Sequence, residues 1–116
     1  MRTFDAGLVN SIYGDADLSA LVNDRRNIIL VDGDNLAIFA WRGPGVYEAH
    51  LHFTARGRQA ITLACEMLRQ VDAKMIWSLI PVGAKNVRWF SRQIGFSSLG
   101  EMEAPEGLHE LILMEK

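Results

Sequence analysis

The side chains best suited to acid–base chemistry stand close together in one short segment of the chain. Between Val46 and Phe53, apolar residues alternate with Glu48, His50 and His52, a spacing that places these three groups on one face of a β-strand. A carboxylate or an imidazole can take a proton from a reacting group near neutral pH. Glu48 is therefore the first candidate for a general base, acting through water, with His50 or His52 as substitutes. The alternative interpretation is that Glu48 caps a turn or pairs with a surface arginine.

The same two histidines raise the question of a metal site. His50 and His52 would lie about 7 Å apart along the strand. A zinc site would need a third ligand such as Glu48 or His109, and no further set of residues has metal-ligand spacing. We therefore predict no metal and interpret the pair as half-buried, hydrogen-bonded histidines. Cys65 is the only cysteine, which excludes an internal disulfide and is typical of a small buried side chain.

A second segment combines a glycine with positive charge. Arg56, Gly57 and Arg58 follow the predicted strand and precede a predicted helix, whose first backbone N–H groups have no partners within the helix. Phosphate or pyrophosphate is the natural ligand of such a helix start, and an exposed turn is the alternative interpretation. A later helix carries a basic row at Lys85, Arg88 and Arg92, for which a solvated face is the alternative. Together the two segments favour one elongated anionic ligand between them.

Hydrophobic periodicity predicts the elements that position these residues. Residues 1–27 contain two short apolar clusters and are interpreted as one or two short helices. The remaining predicted elements are strands Asn27–Val31, Leu36–Trp41, Val46–Phe53 and Met75–Ile80, a helix Arg58–Val71, a helix from about Ala84 to Gly95, and strands 97–103 and 108–115. Asp32-Gly33 is a strong hairpin signal, and Gly95 is expected in a left-handed helix cap with Phe96 packing back on the last turn.

The long helix after the third strand determines the topology. A strand, a helix and a further strand cannot form a hairpin, so the helix must be a right-handed crossover between parallel strands. The first three strands are joined by short turns and form an antiparallel meander. The predicted fold class is therefore α/β, a sandwich with a mixed, mostly antiparallel sheet and one parallel strand–helix–strand crossover.

Composition limits what the protein can be. The chain has 116 residues, of which 49% are hydrophobic, enough for one core, so residues 1–116 are expected to form a single domain. A net charge of −2 disfavours nucleic acid as a partner, and no apolar run approaches the roughly 20 residues that span a bilayer. The N-terminus lacks a signal-peptide pattern, and we expect a cytoplasmic protein. Trp41, Trp77 and Trp89 are interpreted as core residues rather than base-stacking groups.

These features resemble the GNAT superfamily of acyl-CoA-dependent N-acyltransferases. The order of elements matches that fold from Asp32-Gly33 onward, Arg56 matches the start of the pyrophosphate motif, and Asn86 with Gly95-Phe96 matches a later pattern. Gln59 and Ile61 stand where the motif has small residues, with Gly57 and Ala60 beside them. Ser91 stands where the family usually has a tyrosine acid. Further segments resemble short phage-encoded members: Phe4-Asp5-Ala6, Val9-Asn10, Val46-Tyr47-Glu48-Ala49-His50 and Arg56-Gly57-Arg58-Gln59-Ala60.

The resemblance implies a GNAT-like three-layer sandwich whose parallel strands part to admit acetyl-CoA as co-substrate. It places Leu51, His52 and Phe53 along the pantetheine arm, Arg56, Gly57, Arg58, Gln59, Ala60 and Ile61 around the pyrophosphate, and Asn86 and Phe90 near the distal arm. Ser91 would hydrogen-bond the departing sulfur or hold a water that does. The implied function is transfer of an acetyl group to an unknown amine by direct attack. The alternative is a non-catalytic binding or assembly module of the same fold. A homodimer could form by pairing of the apolar strand Leu111-Ile112-Leu113-Met114.

Overall fold

The computed structural model describes all residues from Met1 to Lys116 and contains four helices and six strands. The helices are α1 (Ala6–Tyr13), α2 (Ser19–Asn23), α3 (Gly57–Arg69) and α4 (Lys85–Gln93). The strands are β1 (Ile28–Asp32), β2 (Asn35–Gly43), β3 (Val46–His52), β4 (Met75–Pro81), β5 (Ser97–Ala104) and β6 (Gly107–Glu115). The order of elements is the one that hydrophobic periodicity predicts, with two short helices at the start where one or two were predicted.

All six strands form one sheet in the order β1-β2-β3-β4-β6-β5. Every neighbouring pair is antiparallel except β3 and β4, which are parallel and are connected by α3. This confirms the predicted fold class, a mostly antiparallel mixed sheet with one crossover. Strand β6 is hydrogen-bonded to β4 on one side and to β5 on the other. The suggestion that Leu111–Met114 pairs with a second copy is therefore wrong, because both edges of β6 are occupied, and β5 forms the edge of the sheet.

The helices cover both faces of the sheet and create two cores. Along β1 the side chains alternate between them, with Leu30 in one cluster and Ile29 and Val31 in the other. The larger cluster lies under α3 and α4 and includes Phe39 of β2 and Ile76 of β4. The smaller cluster lies under α1 and α2. The protein is therefore a three-layer sandwich, as the resemblance implied. None of its helices has both the length and the hydrophobicity that crossing a membrane requires.

The end of α4 has the predicted left-handed glycine cap. Gly95 has φ 107°, and its N–H donates to the carbonyl of Arg92 at 3.2 Å, while the N–H of Phe96 donates to the carbonyl of Ser91 at 3.0 Å. This pair of hydrogen bonds satisfies carbonyls that the helix end would otherwise leave free. It also turns Phe96 back into the core, where it is buried. The cap thereby sets the position of α4 over the sheet.

The prediction of a core position is wrong for Trp89, which is 54% exposed. Phe90 and Ile94 pack on the larger core, whereas the side chain of Trp89, about 100° around the helix from Phe90, lies outside that core and lines a cavity beside β3 and β4. Trp41 and Trp77 are partly buried in their strands. The ring of Trp41 also carries the guanidinium of Arg26, 4.6 Å from its centroid.

Leucine substitutions in the core and on the edge strand should differ in their effect on stability. Leu30 is 2% exposed and contributes to the core beneath α3, whereas Leu99 on β5 is 61% exposed. Leu30→Ala should lower the free energy of unfolding by about 2–5 kcal/mol, because it removes buried methyl groups and leaves a cavity. Leu99→Ala, the matched control, should change it by at most about 0.5 kcal/mol. Urea denaturation of both variants measures the difference, and equal effects would contradict the assigned core.

Candidate functional site

The parallel strands β3 and β4 pair over only three residues. Their register runs from Val46 opposite Met75 to Glu48 opposite Trp77, and beyond these the strands part. The hydroxyl of Ser78 donates a hydrogen bond to the carbonyl of Ala49 at 2.8 Å at the point of parting. Backbone groups two residues apart on a strand point to the same side, so the N–H and carbonyl of Leu51 face the gap. The parted strands therefore expose backbone hydrogen-bonding groups in the interior of the sheet.

A cavity of about 730 Å³ occupies this gap, a size that suits a small-molecule ligand. Nine of the residues predicted to form the site line it. They are Leu51, His52 and Phe53 from the end of β3 and the following loop, Arg56, Gly57 and Ala60 from the start of α3, and Asn86, Phe90 and Ser91 from α4. The lining is mostly apolar, and the rings of Phe53 and Phe90 meet edge to face with centroids 6.4 Å apart.

Four other predicted site residues lie outside the cavity. Arg58 and Gln59 line a shallow recess on the outer side of α3, together with Glu66. Ile61 is partly buried against the larger core. Glu48 is absent from the lining as well. The helical twist of about 100° per residue explains the positions of Arg58, Gln59 and Ile61, because it turns these side chains of α3 away from the gap.

The start of α3 is open toward the cavity. Gly57 begins the helix with φ 59°, and the preceding Arg56 is extended, with φ −133° and ψ 160°, and makes no side-chain capping bond. The first N–H groups of the helix are therefore free to bind an anion. A side chain at Gly57 would meet no atom within 4 Å, but its positive φ disfavours any other residue. Gly57 is thus favoured by its backbone conformation.

Asn35 holds the loop that leads into α3, and the sequence analysis missed it. Its side-chain oxygen accepts hydrogen bonds from the N–H groups of Thr54 and Ala55, each at 2.9 Å. Its amide nitrogen donates to the carbonyl of Asp32 at 3.0 Å in the β1–β2 turn. One side chain thereby connects the first hairpin to the helix start. No local sequence signal identifies this role, because the bonded residues are about twenty positions apart.

Two polar side chains of α4, Ser91 and Arg88, are paired with other groups of the protein. The hydroxyl of Ser91 is buried and donates to the carbonyl of Arg88 at 2.8 Å, so its proton is used within the helix. The guanidinium of Arg88 lies 3.4 Å from a carboxylate oxygen of Glu110 on β6. The basic row on this helix is therefore not wholly solvated, because its middle member is paired with the sheet.

Tyr13 is a further side chain of the cavity that the sequence analysis did not identify. It ends α1, and its ring meets that of His52 edge to face with centroids 5.2 Å apart. The turn after it is held by Asn10, whose side-chain oxygen accepts from the N–H of Leu18 at 2.7 Å. Hydrogen bonds from Ser19 and Asn10 lower the pKa of the Asp17 carboxyl in this turn. These bonds hold the turn that connects α1 to α2.

The predicted base Glu48 is paired on both of its oxygens. Oε1 accepts from Arg42 on β2, at 3.0 Å from Nε and 2.9 Å from Nη2, and Oε2 lies 3.1 Å from Nε2 of His50. The pairing of Glu48 with a surface arginine, the alternative interpretation of the sequence, is thus what the structure contains. His50 lines the cavity, and Glu48 stands behind it. His50 and His52 belong to no cluster of three or more metal-ligating side chains.

Comparison with known proteins identifies the fold. No protein-family model matches the sequence, and no curated protein matches it significantly. The aminoglycoside acetyltransferase AAC(6')-Ib in complex with coenzyme A and kanamycin is similar in structure, with a TM-score of 0.72 and 10% sequence identity over 100% of this chain and 92% of that chain. A chimera of the spermidine N-acetyltransferase SpeG from Vibrio cholerae and hSSAT has a TM-score of 0.73 and 12% sequence identity, over 96% of this chain and 90% of that chain. An uncharacterized protein from Bacillus halodurans is similar with a TM-score of 0.63 and 16% sequence identity, over 84% of this chain and 63% of that chain.

These similarities show that the chain has the fold of the GNAT acetyltransferases. Sequence identity to these three structures is only 10–16%, so the similarity lies in the arrangement of helices and strands.

Replacement of Asn35 should loosen the loop before α3. Asn35→Ala removes the acceptor of two backbone N–H groups, and each hydrogen bond is worth about 1 kcal/mol. The amides of Thr54 and Ala55 should then exchange with solvent about tenfold faster or more in hydrogen-exchange measurements. Asn35→Asp, which keeps an acceptor oxygen in the same position, is the control and should retain their protection. Unchanged exchange in Asn35→Ala would contradict the assigned role.

Proposed function

We propose that this protein is an acetyl-CoA-dependent N-acetyltransferase that binds its co-substrate between β3 and β4. The observation that carries the proposal is the cavity between the parted strands, which ends at the open start of α3 beside Arg56. Such a cavity offers an extended ligand a narrow apolar passage and a positive end. Acetyl-CoA has a matching form, because an apolar, amide-bearing arm joins its thioester to a diphosphate.

The arm of the co-substrate would lie along the exposed side of β3. The free N–H and carbonyl of Leu51 would hydrogen-bond its amides, as a neighbouring strand would otherwise do. Phe53 and Phe90 would close over its apolar part, and Asn86 would contact the distal part of the arm. His52 would border the same passage on the other side of β3.

The diphosphate would bind at the start of α3. The free N–H groups of the first helical turn and the positive end of the helix dipole stabilise an anion there. The guanidinium of Arg56 adds charge from within the cavity, and Ala60 leaves room beside it. Gln59 and Ile61, which replace small residues of the family motif, do not obstruct this position, because their side chains lie outside the cavity lining. Arg58 acts from the outer side of the helix.

The reaction would be direct attack of an amine nitrogen on the thioester carbonyl. The carbon–nitrogen bond forms, the amine nitrogen gives up a proton through water to a base, the carbon–sulfur bond breaks, and coenzyme A leaves as a thiolate. The thiolate takes a proton readily from water at neutral pH, because the pKa of such a thiol is about 8.5, so the absence of a tyrosine acid slows this step without preventing it. Ser91 remains the predicted group near the sulfur. Its hydroxyl must turn away from the carbonyl of Arg88 before it can donate to the thiolate.

The acceptor would be an amine, and the fold alone does not determine which amine it is. The related structures named above include an aminoglycoside acetyltransferase and a spermidine N-acetyltransferase, so one fold serves acceptors of different size and charge. In this chain the acceptor would approach from the side of the sheet that carries Tyr13 and His50, because both line the cavity there.

Binding of acetyl-CoA should raise the melting temperature of the protein. At a hundredfold excess over the dissociation constant, the gain in stability is about 2.7 kcal/mol, or about 10 °C for a domain of this size. Adenosine monophosphate, which lacks the arm and the diphosphate, is the control and should give a much smaller shift. Release of thiol from acetyl-CoA in the presence of amines then measures transfer. Binding together with transfer supports the enzyme, and binding without transfer supports the non-catalytic module. The absence of both binding and transfer would contradict the proposal.

Removal of the two arginines at the start of α3 should weaken the binding of coenzyme A. A charge-assisted hydrogen bond contributes about 1.5–3 kcal/mol, so the Arg56→Ala, Arg58→Ala double variant should lose affinity by about a hundredfold or more. Arg56→Ala alone should account for most of the loss, because Arg56 lines the cavity and Arg58 does not. Arg69→Ala, at the other end of the same helix, is the matched control. Unchanged affinity of the folded double variant in calorimetry would reject this anion site.

A further inference from the structure

The core beneath α1 and α2 covers only part of one side of the sheet. Its strand residues all come from β1 and β2, namely Ile29, Val31, Leu36 and Ile38. On β4 and β6 the same side carries large apolar side chains that are partly buried and belong to neither of the two cores. They are Trp77 and Leu79 of β4 and Leu111 and Leu113 of β6, here called the apolar face. Its position in the middle of the sheet makes it a surface on which an apolar group can pack.

Strand alternation and register bring the four side chains together. Ile112 of β6 points into the core beneath α3 and α4, so its neighbours on the strand point to the other side of the sheet. In the antiparallel ladder Trp77 stands opposite Leu113, and Leu79 stands opposite Leu111. Side chains two positions apart on a strand are separated by about 7 Å, and directly opposed ones by about 5 Å. The apolar face is therefore about the size of one or two aromatic rings.

The apolar face continues into the cavity. Leu79 belongs to both, and Trp77 is the last residue of β4 that pairs with β3, so the face begins where the strands part. Across the gap, Tyr13, His50 and His52 line the cavity on the same side of the sheet. A ligand that lies on the apolar face would therefore have one end in the gap, where the thioester of the co-substrate is proposed to lie.

We propose that the acceptor is a primary amine carried on an apolar ring, and that the apolar face binds this ring. This inference rests on the proposed function and names the class of its acceptor. The rings of Tyr13 and His52, which meet edge to face with centroids 5.2 Å apart, add aromatic surface on the β3 side of the opening. Aromatic side chains contribute large contact areas and pack well against other rings. The amine would then point into the gap toward the thioester.

The charges of the site fit a single amine better than a polycation. The cavity lining contains Arg56 and two histidines, but no aspartate or glutamate. On β3, the carboxylate of Glu48 accepts a hydrogen bond from Arg42 and lies 3.1 Å from Nε2 of His50. A polyamine or an aminoglycoside would have to give up the hydration of several ammonium groups without a free carboxylate in the cavity to compensate. A monoamine gives up only one, and burial lowers the pKa of that amine toward its neutral, nucleophilic form.

The transfer to such an acceptor balances without a further reactant. The amine nitrogen bonds to the thioester carbonyl carbon, and the carbon–sulfur bond breaks with its electrons going to sulfur. The proton that the nitrogen loses reaches the sulfur through water. The net reaction is amine plus acetyl-CoA to amide plus coenzyme A thiol.

Acceptors that differ in one end group test the proposed class. Pentylamine and 1,5-diaminopentane have the same length, but the second carries an ammonium group where the first has a methyl group. We expect kcat/KM for pentylamine to exceed that for the diamine by about tenfold or more, because the apolar face cannot replace the hydration of an ammonium group. Phenethylamine, which carries a ring, should be a better acceptor than spermidine or kanamycin. Thiol release from acetyl-CoA measures all five rates.

Variants of β6 show whether the apolar face causes this preference. Leu111→Ala should lower kcat/KM for phenethylamine by about tenfold or more, because a lost apolar contact changes discrimination by about 10–200-fold. It should leave the KM for acetyl-CoA unchanged. Leu111→Glu, which places a carboxylate on the apolar face, should shift the preference toward 1,5-diaminopentane. Leu108→Ala is the matched control, since Leu108 is 46% exposed and lies on the opposite side of the same strand.

A second measurement uses the wild-type protein and does not require transfer. In methyl NMR of leucine-labelled protein saturated with coenzyme A, phenethylamine should shift the signals of Leu79, Leu111 and Leu113 and leave that of Leu108 in place. Unchanged signals, or faster transfer to spermidine or kanamycin, would overturn the inference while leaving the proposed function intact. A dimer in sedimentation that Leu111→Glu dissociates would also overturn it, because a second copy would then cover the apolar face. Absence of acetyl-CoA binding by wild type would overturn the inference and the proposed function together.

Discussion

Beyond Glu48 and Trp77, the backbones of β3 and β4 no longer reach each other, and the hydroxyl of Ser78 bonds the carbonyl of Ala49 where a strand partner would otherwise stand. Peptide groups inside a sheet must be hydrogen-bonded or reached by water or ligand, because leaving them buried and unpaired is costly. The parting of the strands therefore creates a cavity and leaves backbone groups beside it that water or a ligand can reach. A pair of strands in register to the end would leave no cavity and no free groups at Leu51.

The rest of the structure holds the two strands apart and completes the walls between them. The crossover through α3 makes the strands parallel, so that both point their carboxyl ends toward the same edge. The start of α3 reaches this edge because Asn35 fixes the loop before it to the first hairpin. The glycine cap at Gly95 turns the chain so that Phe96 is buried beneath α4. Two layers of helices thus serve one function, since each supplies one wall of the passage.

Local sequence patterns were sufficient for the elements and for the glycine and arginines at the start of α3, whereas the other predicted residues of the cavity came from the family resemblance. Alternation along Val46–Phe53 and helical spacing across Arg58–Val71 reflect one face buried in the core, and burial of that kind is visible in sequence. The glycine cap at Gly95 was equally local. What the sequence could not show are the pairings between distant positions: Asn35 with Thr54, Arg88 with Glu110, and the insertion of β6 between β4 and β5. These depend on how elements pack, and no residue pattern near either partner records them.

The departures from the family motif are explained by the direction in which side chains of α3 point. A motif of small residues matters where a backbone or side chain faces the cavity, which here applies to Gly57 and Ala60. Gln59 and Ile61 face away, so their size has no consequence for the cavity. The same reasoning applies to the acid–base groups on β3, because the residue that faces the cavity is His50 and the carboxylate lies behind it. Position relative to the gap, more than identity at a motif position, therefore decides which residues of this chain can take part in chemistry.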